Sequence, residues 1–142
     1  MRILSVSAIV IVLGMTAAGA QDLACGFTGP TIFPELEALE AAMLKGDYSG
    51  FASLVQAAIP TIDGAGMMAG ITEAVPTGFV SCTTIIQRED VGGFVQEISM
   101  FELPEGKGVI TLYLQSALVN GERTLTQFSF DSALTKTLEN LR

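Results

Sequence analysis

Histidine is absent from all 142 residues of the chain. That removes Ser-His-Asp and Cys-His nucleophilic catalysis, together with every histidine-ligated zinc, copper or haem site. Cysteine occurs twice, as Cys25 and Cys82. Two sulfurs joined to each other hold neither zinc nor an iron–sulfur cluster, and no Asp-x-Asp-x-Asp-Gly calcium loop is present. Basic side chains are scarce: seven Lys and Arg stand against fifteen Asp and Glu, for a net charge of −8. A field of that sign disfavours nucleic acid and anionic membrane surfaces, which need clustered cations. The chain is therefore expected to use no cofactor, hold no metal and bind no nucleic acid.

What is present begins with an export pattern. Arg2 precedes an apolar stretch, residues 3–20, that no charge interrupts and that ends in Ala17-Ala18-Gly19-Ala20. Small residues at Ala18 and Ala20 occupy the −3 and −1 positions that a signal peptidase reads. The expected organisation is a signal peptide over residues 1–20, cleaved after Ala20, and one domain over residues 21–142. That length matches the commonest domain size. As a membrane anchor the run is marginal for a hydrocarbon layer of roughly 30 Å. Gln21 and Asp22, not a basic stop-transfer cluster, follow it. After cleavage no membrane association is expected. Leu23-Ala24-Cys25-Gly26 resembles a lipoprotein box, but Asp22 stands where that signal places a leucine-like residue. Lipidation at Cys25 is the alternative to soluble processing.

A periplasmic or secreted location lets disulfides persist, and Cys25 and Cys82 have one intramolecular pairing open to them. Redox work by free thiols needs a Cys-x-x-Cys spacing or a basic neighbour; neither occurs. The bridge closes a long loop and is worth about 4 kcal/mol on the chain-entropy model.

The fold class expected is α+β: an N-terminal helical hairpin packed on a four-stranded antiparallel meander, with a C-terminal helix. Leu36, Leu39, Met43 and Leu44 recur at helical spacing over residues 34–44. Pro34 suits the first turn, Glu35 and Glu37 suit the positive dipole end, and Gly46 ends the helix. Asp47 caps a second helix with Tyr48, Phe51, Leu54, Val55 and Ala58 as its stripe. Residues 63–66 read as a turn before a short helix carrying Met67, Met68, Ile71 and Val75. Period-two patterning then marks strands over residues 79–87, 94–103, 109–119 and 122–130, with a turn over residues 89–93. Asn120-Gly121 signals a type I′ hairpin. A two-residue loop there sets Tyr113 opposite Phe128, Gln115 opposite Thr126 and Thr111 opposite Phe130. Ile110, Leu112, Leu114, Leu118 and Leu125 form the face that meets the helices. Asp131 caps a last helix with Leu134, Leu138 and Leu141 on one side.

Tyr113, Gln115, Thr126 and Phe128 share the other sheet face and form the candidate ligand-binding site. Aromatics mixed with hydroxyls and an amide suit a modest apolar pocket with a few polar anchors; the plainer reading is an outward face of cross-strand pairs. No catalytic residues are assigned. Glu97 and Glu102 have opposite strand parity, so they cannot face one pocket. Glu35, Glu37 and Glu40 read as a solvated helix-start cluster. Gly64-Ala65-Gly66-Met67-Met68-Ala69-Gly70 lacks the spacing and the lysine of a phosphate loop.

Lys45-Gly46-Asp47-Tyr48-Ser49-Gly50-Phe51-Ala52-Ser53-Leu54 resembles the opening of NTF2-like (SnoaL-like) domains. The resemblance implies a curved sheet and helices around an apolar pocket used for binding, dimerisation or isomerase-type chemistry. The chain lacks the early strand pair of those domains and the histidine that their enzymes pair with an aspartate. The function expected is that of an exported, non-enzymatic module binding a small apolar ligand or a protein partner. The alternatives are a carboxylate-dependent enzyme of NTF2-like type, using Asp47, Glu97 or Asp131, and a structural accessory subunit of a cell-envelope complex that buries Met67, Met68 and Ile71.

Overall fold

The computed structural model describes residues 23–26 and 31–141; the expected signal peptide lies outside the described residues. Three helices lead into a sheet, as the change of hydrophobic period requires. Helix α1 spans Pro34–Lys45, with Pro34 at its start, and Gly46 ends it at φ 71°. Asp47 caps α2, Tyr48–Ala58, by accepting the Gly50 N–H at 2.9 Å. Helix α3, Gly64–Ala74, starts earlier than the pattern indicates. Asp63 caps it through the Gly66 N–H at 3.2 Å, so the expected turn at residues 63–66 is the cap and first turn of the helix. Gly64 is required by contact, since a Cβ there would stand 2.9 Å from the Ala52 carbonyl oxygen. The Tyr48 hydroxyl donates to the Val75 carbonyl at 2.5 Å and binds α2 to the end of α3.

Four strands follow in the order β1-β2-β3-β4: β1 Ser81–Asp90, β2 Phe94–Glu102, β3 Val109–Val119 and β4 Glu122–Asp131. All neighbours are antiparallel. Strand β1 runs through Arg88 and Glu89 to Asp90, which pairs with Phe94, so the tip is shorter than the expected turn. Asn120 and Gly121 both hold positive φ, 53° and 83°, as the hairpin signal requires. A single-turn helix, Pro104–Gly106, links β2 to β3, and α4, Leu134–Leu138, follows β4.

The register expected for the last hairpin holds from Val119↔Glu122 to Ser116↔Leu125 and then shifts by one. Thr126 is the extra residue of a β-bulge, and Gln115 pairs with Gln127, Leu114 with Phe128 and Leu112 with Phe130. Phe128 therefore joins the leucine face. Its ring lies 6.0 Å from that of Phe51, and the Phe130 ring lies 5.5 Å from Phe51. The helices pack on this face over Val95, Phe101, Leu112, Leu114 and Leu125, all buried. Leu118, expected with them, is 49% exposed beyond the helices.

Cys25 and Cys82 form a disulfide across 57 positions, and the Thr84 N–H donates to the Cys25 carbonyl at 3.0 Å. Residues 23–26 are thereby fastened against β1. The bond suggests a non-cytoplasmic compartment. Among the described residues no helix is long and apolar enough to cross a membrane.

Helix α4 differs from the leucine-faced helix expected. Leu134 and Leu138 are exposed and Thr137 is buried, with its hydroxyl hydrogen-bonded to that of Thr111 on β3. Asp131 accepts the Ala133 N–H at 2.7 Å ahead of the helix. A five-residue helix held by a hydroxyl pair covers one end of the sheet's outer face and leaves the rest to form a recess.

Candidate functional site

The outer face of the sheet carries the residues that the sequence singles out, except Phe128. Tyr113 is fully buried. Its hydroxyl accepts from Gln96 Nε2 at 2.8 Å and donates to Gln115 Oε1 at 2.8 Å. Burial raises the Tyr113 pKa above that of a free phenol, against a smaller opposing effect of the Gln96 hydrogen bond, which keeps the donor proton in place. Gln115 Nε2 in turn donates to Thr126 Oγ1 at 3.0 Å, and that hydroxyl donates to the Gln115 carbonyl at 3.2 Å. Tyr113, Gln115 and Thr126 thus form one connected group, while the bulge puts Phe128 on the opposite side of the sheet.

The bulge also builds a feature that a regular ladder would not contain. Gln96 pairs with Gln115, and Gln115 pairs with Gln127, so three glutamines lie in one row across β2, β3 and β4. Together with Phe94 and Asn140 they line a cavity of about 350 Å³. Asn140 closes one side: its backbone carbonyl accepts from Gln96 Nε2 at 3.2 Å, and its Nδ2 donates to Ser129 Oγ at 3.2 Å. Both hydrogens of the Gln96 amide are thus directed, to Tyr113 and to Asn140. Its Oε1, in a side chain 1% exposed, is left without a partner. Burying an acceptor unmatched costs about 1–3 kcal/mol. Gln96, Gln127 and Asn140 were not singled out in the sequence. The signal for Gln96 was its parity with Ile98 in a strand whose other parity already supplies Val95 and Phe101 to the core.

A second polar cluster lies on the helix face. Glu40, expected in solvent, is 1% exposed, and Glu97 is 5% exposed. Glu40 sits four residues after Leu36 and three before Met43, so the stripe that buries those residues carries its carboxyl inward. It accepts from Ser99 Oγ and from Thr84 Oγ1, the latter at 3.4 Å. Glu97 accepts from Gln87 Nε2 at 2.7 Å. Burial, and then the neighbouring Glu97 charge, push the Glu40 pKa to about 9; burial also raises that of Glu97. Leu23, Ile32 and Phe33 close over the pair and leave about 10 Å³ beside it, room for about one water. Two carboxyls here share a proton; a substrate has no space between them. The other acids considered for catalysis, Asp47 and Asp131, are engaged by backbone N–H groups.

Arg123 fastens the start of α1 to the hairpin tips. Its Nη1 donates to the Gly93 carbonyl at 2.7 Å and to Ser116 Oγ at 3.2 Å; its Nε lies 3.4 Å from Glu35 Oε1, and its guanidinium lies 4.5 Å from the centroid of the Phe33 ring. This is a structural tie. Open grooves of about 450 Å³ and 550 Å³ run beside α1 and between α2 and α3. In the second, Ser53, Thr72 and Asp47 are satisfied within their own helices. Met68 is buried and Met67 and Ile71 pack against the core, which takes up the methionine patch. Among the described residues no group of three or more acidic or thiol side chains is placed to hold a metal. No family model, curated protein or solved structure matches the chain.

Proposed function

We propose that this protein is exported to the periplasm or secreted, and that it is a non-enzymatic module binding a small ligand on the outer face of its sheet. The observation that carries the reading is the cavity of about 350 Å³ that Phe94, Gln96, Gln115, Gln127 and Asn140 line, four amides and one aromatic ring with no charged group among them. The amide lining favours a polar ligand over the apolar one that aromatic and threonine residues in sequence indicate. The Cys25–Cys82 bond supports export. An NTF2-like relationship belongs to the same proposal and rests on residues 45–54, which form the end of α1, the turn and the first part of α2.

A carboxylate-dependent enzyme is the second reading, favoured by the raised pKa values of Glu40 and Glu97. The roughly one-water space beside the pair places it behind the binding module. Thermal unfolding with a panel of small polar and apolar compounds tests the leading reading. Saturation at a hundred times Kd is expected to stabilise by about 2.7 kcal/mol. No shift with any compound sinks it. The intact mass of the protein recovered from its host is expected to correspond to residues 21–142 with both sulfurs oxidised; a product that keeps Met1 with two free thiols refutes export.

A further inference from the structure

We infer that the outer-face cavity takes a neutral carbohydrate of one or two sugar rings, seated on the glutamine row and contacting Phe94. The inference rests on the binding-module reading and names its ligand class.

Three features select that class. The first is the pattern of donors and acceptors. Neighbouring strands stand about 4.8 Å apart, so Gln96, Gln115 and Gln127 offer carboxamides at that spacing along one row. Each carboxamide carries both a donor and an acceptor, and each sugar hydroxyl does the same. Tyr113, Asn140 and Thr126 already engage Gln96 and part of Gln115. The groups left to a ligand are therefore the Gln127 carboxamide, the second Gln115 Nε2 hydrogen and Asn140 Oδ1, neutral donors and acceptors together, as on a sugar hydroxyl.

The second feature is charge. No acid or base lines the cavity. The row continues onto β1 at Arg88, which pairs with Gln96, but the Arg88 guanidinium is engaged with Asp90 at 3.0 Å. An anionic ligand would meet no free cation in the lining and the net negative field of the chain. A cationic ligand would meet no carboxylate there.

The third feature is shape. A cavity of about 350 Å³ lies at the small end of ligand sites, which run from about 300 to 1,000 Å³. It is a recess on a sheet face, whereas an extended peptide adds to a sheet edge through its backbone. Four of the five lining residues carry amides, so a lipid tail would strand polar groups. Phe94 gives one aromatic surface for the C–H face of a ring. Tyr113 does not touch the ligand; it fixes the Gln96 and Gln115 amides through its hydroxyl.

The test is an NMR titration of the exported, disulfide-bonded protein, following the side-chain NH2 resonances of Gln96, Gln115, Gln127 and Asn140. Probes are cellobiose, maltose and N,N′-diacetylchitobiose at millimolar concentration, with triglycine, citrate and decanoate as comparators. At least one neutral disaccharide is expected to shift all four amides with saturation, and the comparators none of them. Gln127 is exposed and lies at the rim, so Gln127→Ala leaves the fold intact. It is expected to weaken the sugar about 3- to 10-fold, the value of one hydrogen bond. Gln56→Ala, in the groove between α2 and α3, is expected to change nothing. Triglycine, citrate or decanoate shifting the row while no sugar does refutes the carbohydrate and leaves the binding module standing. Silence from every probe removes both. Sugar-induced shifts that Gln127→Ala does not weaken refute the site.

Discussion

Glu40 occupies a position on α1 that its helix commits to the core, and no cation meets it there. The charged groups facing it are all acidic: Glu97 on β2 and Glu37 on its own helix. Burial is the larger cause of its retained proton and the Glu97 charge the next, while the Ser99 hydrogen bond works in the opposite direction. The folded pKa, about 9, lies above the usual 4.5. The associated stability is therefore complete in acid and is lost as pH rises from the unfolded value through the folded one. At pH 7 the proton held by the folded state corresponds to about 3 kcal/mol of that loss, at 1.36 kcal/mol per pKa unit. Glu40→Gln keeps an acceptor for Ser99 and gives Glu97 a donor without a proton to bind. Urea unfolding of both proteins from pH 5 to pH 9 is expected to show the parent losing stability steeply and the variant much less. Parallel curves would show that Glu40 ionises as an ordinary carboxyl.

The bulge in β4 is the element on which the site depends. Inserting Thr126 between Leu125 and Gln127 turns Phe128 towards Phe51 and brings Gln127 into the row with Gln115. Phe128→Ala is then expected to cost about 2 kcal/mol or more, less than the 3–5 kcal/mol of a fully buried Phe because the ring is half-buried. An outward Phe128 would lose well under 1 kcal/mol. Deleting Thr126 restores a regular ladder with the same downstream partners, so chemical unfolding is expected to register a smaller loss than Phe128→Ala. The reverse ranking would mean that the bulge itself holds the hairpin together. The Asn120-Gly121 turn was legible because its requirement, positive φ at two successive residues, is local. The α1 and α2 boundaries were legible for the same reason, through Pro34, Gly46 and Asp47. The bulge was not, because Leu125-Thr126-Gln127-Phe128 satisfies either register until the Phe51 ring selects one. Helix α3 was shortened by glycines that read as turn residues, although Gly64 answers to a contact with Ala52. The Glu40 stripe position was in plain sight, and acidic composition outweighed it. The candidate site was half legible: Tyr113, Gln115 and Thr126 stay together, whereas Gln96 and Asn140 enter through pairing and packing that no local pattern encodes.

At the scale of the whole molecule, the disulfide and the carboxyl pair are coupled through the residues that lie over them. Cys25 is joined to Cys82 on β1, the Ala24 N–H donates to Glu37, and Leu23 closes over Glu40 and Glu97. Replacing both cysteines with alanine releases a loop of 57 positions and is expected to lower stability by about 4 kcal/mol on the chain-entropy model. A second effect follows from the cause of the Glu40 shift. Burial is its largest contributor, and residues 23–26 supply part of that burial. Freed from β1, they admit water to the pair, so Glu40 titrates nearer its ordinary value and the alkaline loss of stability shrinks. The double-alanine variant is therefore expected to be weaker at every pH, yet flatter between pH 5 and pH 9 than the parent. Carboxyl carbon shifts read by NMR give the same answer independently of unfolding: the Glu40 midpoint moves down in the variant, while the amides of the glutamine row, on the far side of the sheet, stay where they are. A midpoint unchanged by loss of the bond would show that the sheet and α1 alone bury the pair, and that the two features act separately.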